Sequence, residues 1–303
     1  MKSVIKIYFM KKSLIFCATL YFLLSSCVSF KPGWKDKDKP ITGNKITIEQ
    51  ISLLESNANS SEKIQELINA YLEISEDDNY RYYGLWKAGN YHILMGAAYC
   101  EKKSEKKHHY KEAIKLCEKA MSTNTDFMNK INSGEDITIA SVALTTNEID
   151  AMGYWYTARF YYFKECLSPM GRIFNTKIVI ENNKMIELID ILDPNWAGGG
   201  NYFSRGLYFI AVPERFGGSK TIAEEEFNKA VEVGPDYLVN RWGRAKYLYQ
   251  LLGNNEGFKK DLIWVVSQDP NTGGNTYPWN VYFQNDAKEM LSEISNSQSN
   301  TKQ

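Results

Sequence analysis

Three histidines, five cysteines and the glycine runs at 198–200 and 217–218 are the residues of this chain with the most chemistry to offer. Two histidines four apart on one helix face hold a zinc ion, and a histidine beside a serine or cysteine generates a nucleophile. His92, His108 and His109 do neither by spacing. His108 and His109 are adjacent, so a helix points them away from a common centre, and no HExxH, paired CxxC or GxSxG run exists. The glycine runs WAGGGN and ERFGGS have the composition of phosphate loops, but neither follows a strand pattern or ends in GK[ST]. Both are expected to be turns. Ser219 or Thr221 is placed to cap the helix after the second run, and Thr221 with Glu224 has capping-box spacing. The acidic clusters in GEDITIA and AEEEF fit solvated helix faces, with Glu225 and Lys229 an ordinary i,i+4 pair. No catalytic residue, metal or cofactor is expected, and the chain is not expected to be an enzyme.

The one position with a definite covalent chemistry is Cys27. Ahead of it stand Lys11 and Lys12, an apolar run over 14–24, and the small residues Ser25 and Ser26. That is the layout of an export signal, and the run is shorter than the roughly 20 apolar residues of a spanning helix. Leu24-Ser25-Ser26-Cys27 resembles the bacterial lipobox, in which the cysteine becomes the first mature residue and carries a thioether-linked diacylglycerol. The expectation is a lipoprotein signal over 1–26 and an acyl anchor on Cys27. An ordinary secretory peptide that happens to contain a cysteine is the alternative.

Charge narrows the partners. Lys plus Arg equals Asp plus Glu at 36 each, so no basic excess exists to follow a phosphate backbone and nucleic acid is not an expected partner. Loss of 1–26 removes four lysines (Lys2, Lys6, Lys11, Lys12) and no acid, so the mature chain carries about −4. Cys100, Cys117 and Cys166 remain, an odd number in helical surroundings. Buried free thiols suit them, with a Cys100–Cys117 bridge across a hairpin left open.

The elements that position these residues are helices. A charged stretch with Pro32, Gly33, Pro40 and Gly43 over 27–45 suggests a flexible tether. Helical periodicity then fills 46–294, and the polar tail 295–303 suggests disorder. The helices come in pairs that share a template: Gly96, Tyr99, Ala113, Cys117 and Ala120 match Gly206, Phe209, Ala223, Phe227 and Ala230 at one spacing, with Pro235 after the second set. Small residues let two helices cross closely, and such a hairpin must stack on neighbours to bury its faces. Weaker units carry Leu262, Val265 and Pro270, and Ile186, Ile189 and Pro194. Asp193-Pro194 and Asp269-Pro270 are placed to serve as N-cap and first residue of a helix. The helix over 148–166 is aromatic on most sides. It is either the central helix of a solenoid or the wall of an apolar cavity, with Tyr154, Trp155, Tyr156 and Phe160 as its lining.

The small, aromatic, Ala and Pro spacing of Ala223, Phe227, Ala230 and Pro235 resembles the second half of a tetratricopeptide repeat, with extra residues in the turn. The implied fold class is all-α, an α-α superhelix of degenerate hairpins. Over roughly 80–270 the chain resembles the T-component family of tripartite ATP-independent periplasmic (TRAP) transporters. Tyr154-Trp155, the LDP ending at Pro194, and PE with Gly217 and Gly218 before the Ala/Phe/Ala helix carry that resemblance, and an insertion at 171–183 departs from it.

The resemblance implies a lipid-anchored, periplasm-facing accessory protein, on the outer membrane and trimeric. Its implied partner is the solute-binding P component, and its implied role includes passing a small, partly hydrophobic ligand through a pore in each protomer. A repeat scaffold for outer-membrane protein assembly is the alternative.

Overall fold

The computed structural model describes residues 28–36 and 46–300, with side chains described to residue 294; Cys27 and its lipobox lie outside the described residues. Every regular element among them is helical: α1 (Ile48–Glu55), α2 (Ser61–Ile74), α3 (Arg81–Leu94), α4 (Lys103–Met121), α5 (Thr125–Asn132), α6 (Ile137–Ala140), α7 (Ile149–Tyr161), α8 (Pro169–Phe174), α9 (Thr176–Leu192), α10 (Trp196–Ala211), α11 (Lys220–Val233), α12 (Leu238–Gly243), α13 (Asn255–Ser267) and α14 (Tyr277–Asn300). Short π-helical segments, Met95–Tyr99, Tyr162–Cys166 and Arg244–Tyr249, prolong α3, α7 and α12.

Local chemistry sets many of the boundaries. Thr47 closes a capping box with Gln50, and Ser60, Asn124, Ser168, Ser219 and Asn254 each accept a backbone N–H of the helix they precede. Each such cap contributes about 1 kcal/mol. Of the two residues offered for α11, Ser219 is the cap, bonded to Ile222 N. The two Asp-Pro pairs do not cap helices. Asp193 Oδ1 accepts from Asn195 N and Asp269 Oδ1 from Asn271 N, both 2.9 Å, so each carboxylate closes a tight turn two residues on.

Packing follows chain order. Helix α2 packs on α3, α3 on α4, α4 on α7, α7 on α9, α9 on α10, α10 on α11, and α13 on α14, the superhelix the repeats imply. A repeated asparagine joins the later hairpins. Asn201, Asn240 and Asn280 donate Nδ2 to carbonyls at the end of the preceding unit: Asp193 O, Ala230 and Gly234 O, and Pro270 and Asn275 O. The chain then curves back on itself. Trp279 Nε1 donates to Asn90 Oδ1 at 2.8 Å, and Tyr91 Oη to Thr276 Oγ1 at 3.1 Å, so the start of α14 meets α3.

The repeat positions Ala113, Cys117, Ala120, Ala223, Phe227 and Ala230 are all fully buried, while Tyr99 and Phe209 are half-buried and Pro235 is exposed. The shared spacing of the two glycines does not survive as a shared contact. A Cβ on Gly96 would meet the Tyr110 ring at 2.5 Å, whereas one on Gly206 would meet Phe227, the counterpart of Cys117, at 2.8 Å. The connection after Gly206 is longer, and the two hairpins therefore cross in different registers.

Two further expectations change. Residues 28–36 are laid on the body rather than held off it, because Gly33 is buried and Phe30 and Trp34 pack on the core. The 171–183 insertion is helical, in keeping with the periodicity over 46–294, and forms most of α8 and the start of α9. Helix α14 runs on to Asn300, into the segment read as a disordered tail. Cys100, Cys117 and Cys166 are free thiols, so no bridge crosses the hairpin.

Candidate functional site

Closing the superhelix leaves a cavity with about 170 Å³ of fillable space between α7, α9, α10, α12 and α14. Helix α7 gives it Tyr154, Tyr156, Thr157, Phe160 and Tyr161, which share one side of the helix at 100° per residue. Trp155 belongs to the other side. It is fully buried towards α4, where its Nε1 donates to Glu118 Oε1 at 3.0 Å and its ring stacks under the Arg159 guanidinium at 4.2 Å. Of the four α7 residues proposed as lining, three reach the cavity and Trp155 does not.

The remaining walls come from helices with no expected role at a site. Ile178, Val179 and Ile186 of α9, Phe203, Ser204 and Leu207 of α10, Trp242 and Tyr247 of the α12 region, and Trp279 and Phe283 of α14 complete it. The aromatic richness of YFSRGLYF and RAKYLY was the available signal, but the ring closure that brings α14 in leaves none.

Three tryptophans line the cavity, and all turn their polar edge away from it. Trp196 Nε1 donates to Asp150 Oδ1 (2.9 Å), Trp242 Nε1 to Asp286 Oδ2 (2.7 Å) and Trp279 Nε1 to Asn90 (2.8 Å). With their N–H groups satisfied outside, the indoles offer apolar faces within. Tyr156 and Ser204 share a hydrogen bond of 2.9 Å, and Asn182 is consumed by Tyr156 O and Arg159 Nε. Asn275 Oδ1 is buried at the wall and accepts no hydrogen bond from the protein. Burial holds the Tyr154 and Tyr156 phenols well above their ordinary pKa, so both stay neutral donors. The site therefore suits a small, largely apolar molecule with a donor for Asn275.

The π segments of α7 and α12 meet at one side of this site. Lys164 Nζ donates to Tyr247 Oη at 2.9 Å and lies 4.1 Å from that ring's centroid. Burial, then the neighbouring Lys246, pushes the Lys164 ammonium down to about 8.

The features that suggested reactivity are structural. His92 and His109 face each other across α3 and α4 with their Nδ1 atoms 2.9 Å apart, and His108 packs beside His109. Burial pushes His92 down to about 3, so it is neutral at ordinary pH. Among the described residues no group of His, Cys, Asp or Glu is arranged to hold a metal ion. The turn at Gly217 (φ 98°) is not an anion cradle, because the amides of Gly217, Gly218 and Ser219 donate to Glu214 O, Pro213 O and Phe209 O. In WAGGGN, Ala197, Gly198 and Gly199 take positive φ in a left-handed turn, and Gly198 O accepts from Asn240.

A family model described as TRAP transporter T-component matches residues 97–297, two thirds of the chain and every residue that lines the cavity. The chain belongs to the TRAP transporter T-component family. No curated protein matches significantly. Membership carries the general role of a T-component: an accessory protein of a TRAP transport system, associated with the cell envelope. No helix among the described residues of this T-component is long and apolar enough to cross a membrane. The 28–36 segment and α1, α2 and α3 lie outside the match.

Proposed function

We propose that this T-component docks the periplasmic solute-binding protein of its transport system and passes a small, partly hydrophobic ligand through the central cavity. In this reading Cys27 is the first mature residue and carries the diacylglycerol that anchors the protein, facing the periplasm, to the outer membrane. The working unit is a homotrimer. The observation that carries the ligand role is the cavity: about 170 Å³, walled by indoles with outward N–H groups, with Asn275 Oδ1 as a buried acceptor that the protein leaves unpaired. A site of this composition binds apolar bodies and orients them by few polar contacts.

Two measurements separate the parts. The acylated protein should copurify with the solute-binding protein encoded beside it; absence of any complex overturns docking. Ser204→Trp fills the space beside Tyr156, and should abolish solute uptake while leaving that complex intact. Uptake unchanged by Ser204→Trp overturns passage through the cavity.

A further inference from the structure

The segment after Cys27 is built into the body by buried polar groups. Val28 N donates to Asn175 Oδ1 at 2.6 Å, and Gly33 N donates to Glu118 Oε2 at 2.6 Å. Between them the Phe30 ring meets Tyr162 edge-on at 5.2 Å and lies 5.1 Å from the Arg159 guanidinium. Beyond them Trp34 packs on Phe127, and Asp36 pairs with Lys115. There is no slack in this seat: a Cβ on Gly33 would lie 2.0 Å from Lys115 O.

That docking fixes where an acyl anchor leaves the protein. In the proposed reading the acylated residue immediately precedes Val28 in the sequence. Val28 is bonded to Asn175, the residue between α8 and α9. Helix α8 buries none of its residues. Met170 and Ile173, three apart and so on one face, are 59% and 64% exposed, and Ile180 is exposed in the second turn of α9. Apolar side chains on a helix that adds nothing to the core have no folding role. Here they stand beside the point at which the lipid emerges.

We propose that α8 lies in the headgroup region of the leaflet that receives the Cys27 lipid, so that the acyl chains, Met170 and Ile173 form one membrane-contact face. The partner is a phospholipid surface, and the consequence is orientation. The docked 28–36 strap holds the body flush against the membrane in one attitude, instead of letting it swing on a tether. Short amphipathic segments of this kind bury their apolar side chains at the boundary of headgroups and acyl chains. The proposal rests on the acylation of Cys27.

The test uses the acylated full chain in phosphatidylethanolamine and phosphatidylglycerol vesicles with brominated acyl chains. A bimane probe sits at Ile173→Cys or, as a control, at Phe216→Cys, a comparably exposed residue (68%) on the α10–α11 connection. Cys100→Ser removes the half-buried thiol. Bromolipid quenching at 173 should exceed that at 216 several-fold. Gly33→Ala, which unseats the strap, should leave the protein floating with the vesicles and bring quenching at 173 down to that of the control. Equal quenching at the two sites in floated protein overturns the proposal. So does a 173 probe that is shielded from lipid while Met170→Cys cross-links between protomers, which would make the face a subunit interface. A chain that remains in the soluble fraction overturns acylation itself, and the proposal with it.

Discussion

Trp155→Phe separates a residue that lines the ligand site from one that supports it. Phenylalanine keeps a ring beneath the Arg159 guanidinium but removes the 3.0 Å hydrogen bond from Nε1 to Glu118. A hydrogen bond to a charged group contributes about 1.5–3 kcal/mol. The missing ring atoms leave a void worth about 1 kcal/mol at roughly 24 cal/mol per Å³. Burial raises the Glu118 pKa and Gly33 N still donates to this carboxyl, so loss of the indole donor makes it easier to protonate without leaving it unpartnered, which limits the loss. The expected cost is about 3 kcal/mol, read as a lower urea midpoint at unchanged slope. Uptake by the folded variant should match the parent, because Trp155 faces α4 and not the cavity. A variant with parental stability and blocked uptake would refute this reasoning and return Trp155 to the lining.

Acid should weaken the fold through His92. Its folded pKa, about 3, lies below the ordinary 6.5. The unfolded chain therefore takes a proton that the folded chain refuses, and stability falls as pH drops through 6.5 towards 3. Between pH 7 and 5 this one group removes about 2 kcal/mol. In urea titrations His92→Gln should lose that part of the pH dependence, and parallel curves for parent and variant would contradict it. Lys164 should titrate near 8 in the NMR spectrum of ¹³C-methylated lysines, with its signal identified by loss in Lys164→Met. A value at the ordinary 10.5 would mean that the α7 and α12 π segments do not shield it.

Helix positions and the pairing of helices were legible because a 3.6-residue apolar period and small residues at crossings are properties of short stretches of chain. Ala113, Cys117, Ala120, Ala223, Phe227 and Ala230 are buried as that period requires. Even Glu118 left a trace: it falls between Ile114 and Met121 on an apolar stripe, where a carboxylate needs buried partners. What spacing did not convey was register and closure. Gly96 and Gly206 have the same sequence offset to their alanines yet touch non-equivalent rings, since loop length decides where two helices cross.

The same distinction applies to the site. The sequence by itself determined an all-α repeat body, its family and an aromatic α7. Only the tertiary structure decided which aromatics face the cavity, because α7 is covered on two sides and its composition is alike on both. Only the meeting of α14 with α3 created the cavity, through Trp279 and Asn90. And only burial of Gly33 against Glu118 turned a Pro/Gly-rich stretch that reads as a flexible tether into a docked strap. Contacts between residues far apart in the chain leave no period for a local pattern to reveal, and these are the contacts on which the site depends.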